Sequence, residues 1–121
     1  MDLVGEAKQN VENLTPEQVA AELSSGGAVL VDVREPQERE AASIPGSIHA
    51  PSGMLEFYAD PSLPYHKEEF DPERRIILHC ASGGRSALGA ATLKQMGYTN
   101  VAHLDGGIKA WQEVGNPVEG A

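Results

Sequence analysis

The chain has one cysteine in 121 residues, Cys80. A lone thiol cannot close an internal disulfide, which suits a reducing compartment and makes the cytoplasm the expected location. It also has no resolving partner, so a group carried covalently on Cys80 has to leave for another molecule. Cations are scarce too: 9 Lys and Arg face 18 Asp and Glu, a formal net charge of −9. Nucleic-acid recognition wants a basic stripe, so no nucleic-acid partner is expected. The surplus of carboxylates serves solubility, and it repels small anions at long range, so an anionic substrate has to be attracted by local groups. Long apolar runs are absent, and the first ten residues, MDLVGEAKQN, have neither the basic flank nor the apolar stretch of a leader, so no membrane association is expected. The four histidines, His49, His66, His79 and His103, have no ligand spacing and no partner cysteines, so neither a metal nor a cofactor is expected. Dinucleotide and nucleotide-phosphate motifs and internal repeats are likewise missing.

What is present centres on residues 75–97, RIILHCASGGRSALGAATLKQMG. An isoleucine-rich run ends at Cys80, a short loop holds Gly83 and Gly84, and Arg85 opens a stretch of helical composition. The order predicted is strand, tight loop, helix. Loop and first-turn N–H groups then converge on the sulfur, and the helix dipole adds partial positive charge at the same point, which favours thiolate over thiol. A free cysteine is by default a small buried apolar residue. Such a residue needs neither paired glycines to turn N–H groups inward nor a fixed cation at the rim, so the loop composition favours a reactive Cys80.

Elsewhere the signals are local. Residues 1–10 read as a loose tail. Thr15-Pro16-Glu17-Gln18 forms a capping box with Pro at the first helical position, and Val19, Ala20 and Leu23 mark one face of the helix that follows. Residues 28–33, AVLVDV, suit a buried parallel strand. Asp32 and Arg34 at its end are expected as a structural ion pair ordering the loop. Charges at helical spacing run from Glu35 to Ala42, and a turn at Pro45-Gly46 precedes a short strand, Ser47 to His49. Residues 51–74 are broken by prolines, with one short amphipathic turn around Met54, Leu55, Phe57 and Tyr58; Phe57, Tyr58 and Tyr65 either wall the site or pack as satellite core. The helix after Cys80 shows Gly89, Ala90, Leu93 and Met96 on one face and stops at Gly97. Residues 100–104, NVAHL, give another strand, and Asp105 is expected to cap a last helix bearing Ile108 and Trp111. His79 adjoins Cys80, but successive strand side chains point to opposite faces, so it is not assigned as a base.

Four stretches in order, VDVRE (31–35), SIPGSIHAP (43–51), HCASGGRS (79–86) and LDGGIKAW (104–111), make the chain from about residue 11 to 115 resemble the single-domain rhodanese-like sulfurtransferases. The resemblance implies a doubly wound α/β domain over residues 11–118, with about five short, mostly parallel strands and helices on both faces. It implies that Cys80 carries a sulfane sulfur as a persulfide, from a donor such as thiosulfate to a thiophilic acceptor: cyanide in vitro, a thiol or a protein in the cell. Arg85 would hold the anion, and the amides of Ala81, Ser82, Gly83, Gly84 and Ser86 the outer sulfur. Gly-His often precedes Ile-Pro-Gly in that family, whereas Ala42-Ser43 stand here. Related phosphatases and arsenate reductases place five residues between Cys and Arg; here only four intervene, a tighter cradle better matched to one sulfur atom than to a phosphate. A phosphatase also wants a general acid for its leaving group. Two alternatives remain at this point, a binding or sulfur-carrier module with little turnover and a phosphatase-like enzyme. Ala81 and Ser82 are neutral where thiosulfate-preferring members often carry extra cations, which leaves the donor open.

Overall fold

The computed structural model describes residues 2–120. In chain order its elements are α1 (Leu3–Asn10), β1 (Glu12–Leu14), α2 (Pro16–Ser25), β2 (Ala28–Asp32), α3 (Pro36–Ala41), β3 (Ile48–His49), α4 (Leu55–Ala59), β4 (Arg75–His79), α5 (Gly84–Gln95), β5 (Val101–Leu104) and α6 (Gly107–Glu113). The five strands form one parallel sheet in the order β1-β5-β4-β2-β3. This is the doubly wound α/β architecture expected from the resemblance. Among the described residues no helix is long and apolar enough to cross a membrane.

Helices cover both faces, so the central strands read as continuous apolar runs rather than alternating ones. Alternation nevertheless sorts them. Leu30, Ile77, Ala102 and Leu104 face Val19 of α2 and Ile108 and Trp111 of α6. Val31, Ile76, Leu78 and Val101 face Leu55 of α4 and Ala90 and Leu93 of α5. Ile76, Ile77 and Leu78 are completely buried, each stabilising the fold by about 1.5–3 kcal/mol through apolar burial. Because every strand is parallel, the carboxyl ends of β2, β4 and β5 lie together, and ligand crevices of such sheets form there. Asp32, Cys80 and Asp105 all fall at that edge.

Four local expectations fare differently in the structure. Thr15 accepts from the Gln18 amide at 3.2 Å while Gln18 returns a bond to the Thr15 amide at 2.8 Å, the expected capping box. Residues 3–10, expected as a loose tail, form α1. Asp2 caps it by accepting from the Gly5 amide at 2.9 Å, Ala7 and Val11 are buried, and Lys94 of α5 donates to the Asn10 carbonyl. A helix of eight residues is unstable alone, so its signal lies in the face of α5 that receives it. Asp105 does not cap α6 either. Gly106 is the cap residue, and Gly106 and Gly107 both have positive φ, which turns the chain between Asp105 and the helix; the Asp105 carboxylate pairs with Lys8 of α1 at 3.2 Å instead. In residues 51–74, Phe70 is fully buried and the Tyr98 hydroxyl donates to the carbonyls of Ala59 and Phe70. Phe57 and Tyr65 are exposed, edge to face with centroids 6.2 Å apart, and so are not core; Tyr58 packs against it.

Candidate active site

Cys80 directly follows β4, with 1% of its surface exposed. The loop wraps its sulfur in polar groups: the Gly83 amide donates to Sγ at 3.1 Å and the Ser86 amide at 3.4 Å, and Ser86 Oγ accepts from the thiol at 3.6 Å. Gly83 has φ +111°, a left-handed conformation open to glycine at little cost. A second glycine seals the cradle from behind. A Cβ on Gly107 would stand 2.5 Å from the carbonyls of Cys80 and Ala81, and this close approach lets the amides of Ile108 and Lys109 bond those carbonyls at 2.9 and 3.2 Å. Burial alone would push the Cys80 thiol up. The Ser86 hydroxyl and the amides of Ser86, Gly83 and Ser82 outweigh it, and the thiol is held below its ordinary value; the sulfur also sits at the N-terminus of the twelve-residue α5.

Arg85 stands at the rim, as the sequence places it, but it is paired. Its Nη1 and Nη2 bond Glu38 Oε1 and Oε2 of α3 at 2.6 and 2.8 Å. The guanidinium holds the Glu38 carboxyl down at about 2, against some desolvation. Beside this pair runs a groove of about 170 Å³ lined by Ser52, Leu55 and Glu56 on one side and Arg85, Leu88 and Thr92 on the other. Residues 51–74 thus contribute to this groove through Ser52 and α4, and Phe57, Tyr58 and Tyr65 do not line it.

Asp32 and Arg34 meet on the opposite face of the sheet. Asp32 Oδ1 accepts from the amide and Nε of Arg34, both at 3.0 Å, and Oδ2 from Arg34 Nη2 at 2.9 Å and Arg39 Nη1 at 3.3 Å. Burial raises the Asp32 carboxyl, but the hydrogen bonds and charge of Arg34 help leave it net lowered. Arg34 reaches on to the Ala42 carbonyl, and Arg39 to Ser47. His79 lies buried on the same face with neither ring nitrogen hydrogen-bonded. Desolvation lowers it to about 4, Asp32 opposing, so it is neutral.

Two further residues reach the sulfur through Ser86. His103 of β5 is completely buried; its Nδ1 lies 2.9 Å from Ser86 Oγ and its Nε2 2.6 Å from Asn13 Oδ1 of β1. The alternation in NVAHL places His103 on the face of Val101, but only the pairing of β5 with β4, Leu78 beside His103, aims it at the Cys80 loop. Glu38 gave no signal beyond helical charge spacing. Among the described residues no cluster of three or more His, Cys, Asp or Glu could hold a metal.

The arrangement can hold a sulfur anion under amides and a hydroxyl, behind a charge-neutral rim. The chain is similar to many known proteins in sequence and in structure. The rhodanese-like domain profile matches residues 15–114. The thiosulfate sulfurtransferase GlpE of Pseudomonas syringae is 34% identical over 101 residues, 84% of this chain and 87% of that one. A solved Rhodopseudomonas palustris protein of unknown function, described as a possible tyrosine phosphatase, superposes with a TM-score of 0.88 at 42% identity, covering 96% of this chain and 90% of that one. A thiosulfate sulfurtransferase of Pseudomonas aeruginosa superposes at 0.80 with 33% identity over 98% of this chain, but only 22% of its own length.

Proposed function

Since the chain belongs to the rhodanese-like domain family, we propose that it is a sulfurtransferase that carries a sulfane sulfur as a persulfide on Cys80. The observation that carries this is the convergence of the Gly83 and Ser86 amides on Sγ at 3.1 and 3.4 Å. The thiolate attacks the outer sulfur of a donor such as thiosulfate; a sulfur–sulfur bond forms to Cys80, the donor's own sulfur–sulfur bond breaks, and sulfite leaves with the electron pair. The cradle amides then stabilise the outer persulfide sulfur until a thiophilic acceptor, cyanide in vitro or a thiol or protein in the cell, takes it. Splitting one transfer into two displacements is the advantage of covalent catalysis. Arg85 holds an anionic donor only by sharing or releasing Glu38. The reducing cytoplasm, where a lone thiol stays free, is the compartment that suits this chemistry.

The test is the intact mass after exposure to thiosulfate and, separately, to mercaptopyruvate. A gain of one sulfur atom, absent in Cys80→Ser and discharged by cyanide, is the expected result and names the donor. The Rhodopseudomonas palustris likeness makes aryl phosphate hydrolysis the rival readout. The four residues Ala81 to Gly84 between Cys80 and Arg85 favour sulfur, and phosphatase turnover lost in Cys80→Ser would overturn the choice.

A further inference from the structure

His103 does more than fill space: both ring nitrogens are engaged, and Asn13 decides how. Asn13 Nδ2 donates to the carbonyls of Lys8 at 2.9 Å and Val11 at 3.1 Å, so Oδ1 is the atom turned to the ring. An amide oxygen only accepts, and therefore Nε2 carries a hydrogen. In the neutral imidazole Nδ1 is then bare, and the Ser86 hydroxyl donates to it across 2.9 Å. With its single hydrogen so used rather than on the Gly83 carbonyl, which lies farther off at 3.2 Å, Ser86 Oγ faces Sγ as an acceptor, which suits a thiol. Protonating Nδ1 reverses the chain: Nδ1–H donates to Ser86, and of the two acceptors then left to the hydroxyl hydrogen, the Gly83 carbonyl and the sulfur, the sulfur draws it once it carries the negative charge, which suits a thiolate.

We propose that His103 is a positioning residue for the chemistry of Cys80: anchored by Asn13, it takes up through Ser86 the proton that the thiol gives up, and so turns the Ser86 hydroxyl into a donor to the sulfur anion. The Cys80 S–H bond breaks and its proton passes to Ser86 Oγ; the Ser86 O–H bond breaks and its proton passes to His103 Nδ1; the electron pair stays on sulfur. Charge is conserved and no co-reactant is needed. The proposal rests on the sulfurtransferase reading for what the thiolate attacks, not for how it forms. The charged groups facing the imidazole are Lys8 from α1 and Asp105 after β5, paired with each other at 3.2 Å, and the Cys80 sulfur at the end of β4; α5 turns the Ser86 hydroxyl to it and β1 the Asn13 amide. Burial lowers the imidazole, Asp105 opposing and Lys8 adding to the effect. The sulfur anion, reached through one hydroxyl, supplies the stabilisation that an imidazolium in this place lacks.

Imidazole nitrogen shifts read the tautomer and charge of His103 in the whole protein, with the resonance assigned by its loss in His103→Asn, and alkylation rates read the Cys80 thiolate. Linkage is reciprocal: thiolate raises the pKa of His103 by as much as imidazolium lowers that of Cys80. The expected result is that His103 titrates about one pH unit or more higher in the reduced protein than in Cys80→Ser. In His103→Asn and Ser86→Ala the alkylation inflection moves up by about one unit, a roughly tenfold slower reaction on the acid limb. Ser86→Ala also leaves His103 titrating as it does in Cys80→Ser. Equal His103 titration in parent and Cys80→Ser overturns the proposal even if the persulfide forms normally. Coupled titration without any gain of sulfur overturns the sulfurtransferase reading and leaves the relay standing.

Discussion

Each face of the sheet buries one histidine completely near the carboxyl end of β4, and the two have opposite surroundings. On one side Asp32 receives four hydrogen bonds from Arg34 and Arg39, and His79 beside them has none. On the other, Cys80, Ser86, His103 and Asn13 form a chain in which a hydroxyl can donate in either direction. A carboxylate with every lone pair occupied has one arrangement and holds the loops after β2 in place. A hydroxyl between a thiol and an imidazole can be donor to either, and a proton selects which. Saturation gives shape, and one exchangeable bond gives chemistry.

The contrast can be broken from either side. The largest effect is expected from Cys80→Ser, which abolishes sulfur transfer to cyanide while circular dichroism and the urea midpoint stay near the parent's, because no second thiol can carry the intermediate. Next is Asp32→Asn. Removing one partner of a buried pair leaves Arg34 without its counter-charge, at a cost of about 3–5 kcal/mol, readable as a lower urea midpoint; in the protein that remains folded, the Cys80 alkylation inflection stays put, since the two networks lie on opposite faces.

His79 gives a pH signature. In the folded chain it titrates near 4 and in the unfolded chain near 6.5, so between these values the unfolded state binds more protons. Stability therefore falls as pH drops from about 6.5 to 4, by up to about 1.4 kcal/mol per unit, and its contribution is lost below that window. His79→Gln flattens this part of the urea-midpoint profile relative to the parent; an unchanged slope would show that His79 is protonated in the fold. The loss from Glu38 and Asp32, whose carboxyls are held below their ordinary values of 4.5 and 3.8, begins as pH falls through those values, at the foot of this window and below it. The smallest effect is expected from Glu38→Gln. It frees Arg85 from a half-exposed pair worth about 0.5–1 kcal/mol, and the KM for an anionic donor should fall a few-fold with kcat little changed. A rise in KM would mean that Glu38 serves to aim the guanidinium.

Legibility followed distance along the chain. The capping box at Thr15, the apolar runs of β2 and β4, and the turn to α5 at Gly83 are each fixed by neighbours within a few residues, through backbone sterics and local hydrogen bonds, and each could be read in advance. So could the place of Cys80 and the pairing of Asp32 with Arg34, two residues apart. Helix α1 could not, because eight residues become helical only against α5, and Asp105 missed its helix because Lys8 offered a charge that the turn at Gly106 and Gly107 let it reach. The partner of Arg85 comes from 47 residues earlier and that of His103 from 90 residues earlier.

By itself, then, the sequence determined a cysteine between strand and helix, followed by a loop of four residues whose amides can turn inward, because covalent geometry and glycine leave that segment little choice. Only the tertiary structure decided what that sulfur meets. The order β1-β5-β4 brings Asn13, His103 and Cys80 onto one face, and the packing of α3 over the rim neutralises Arg85, since contacts between distant segments are selected by the burial of the whole sheet and not by any residue's own neighbours.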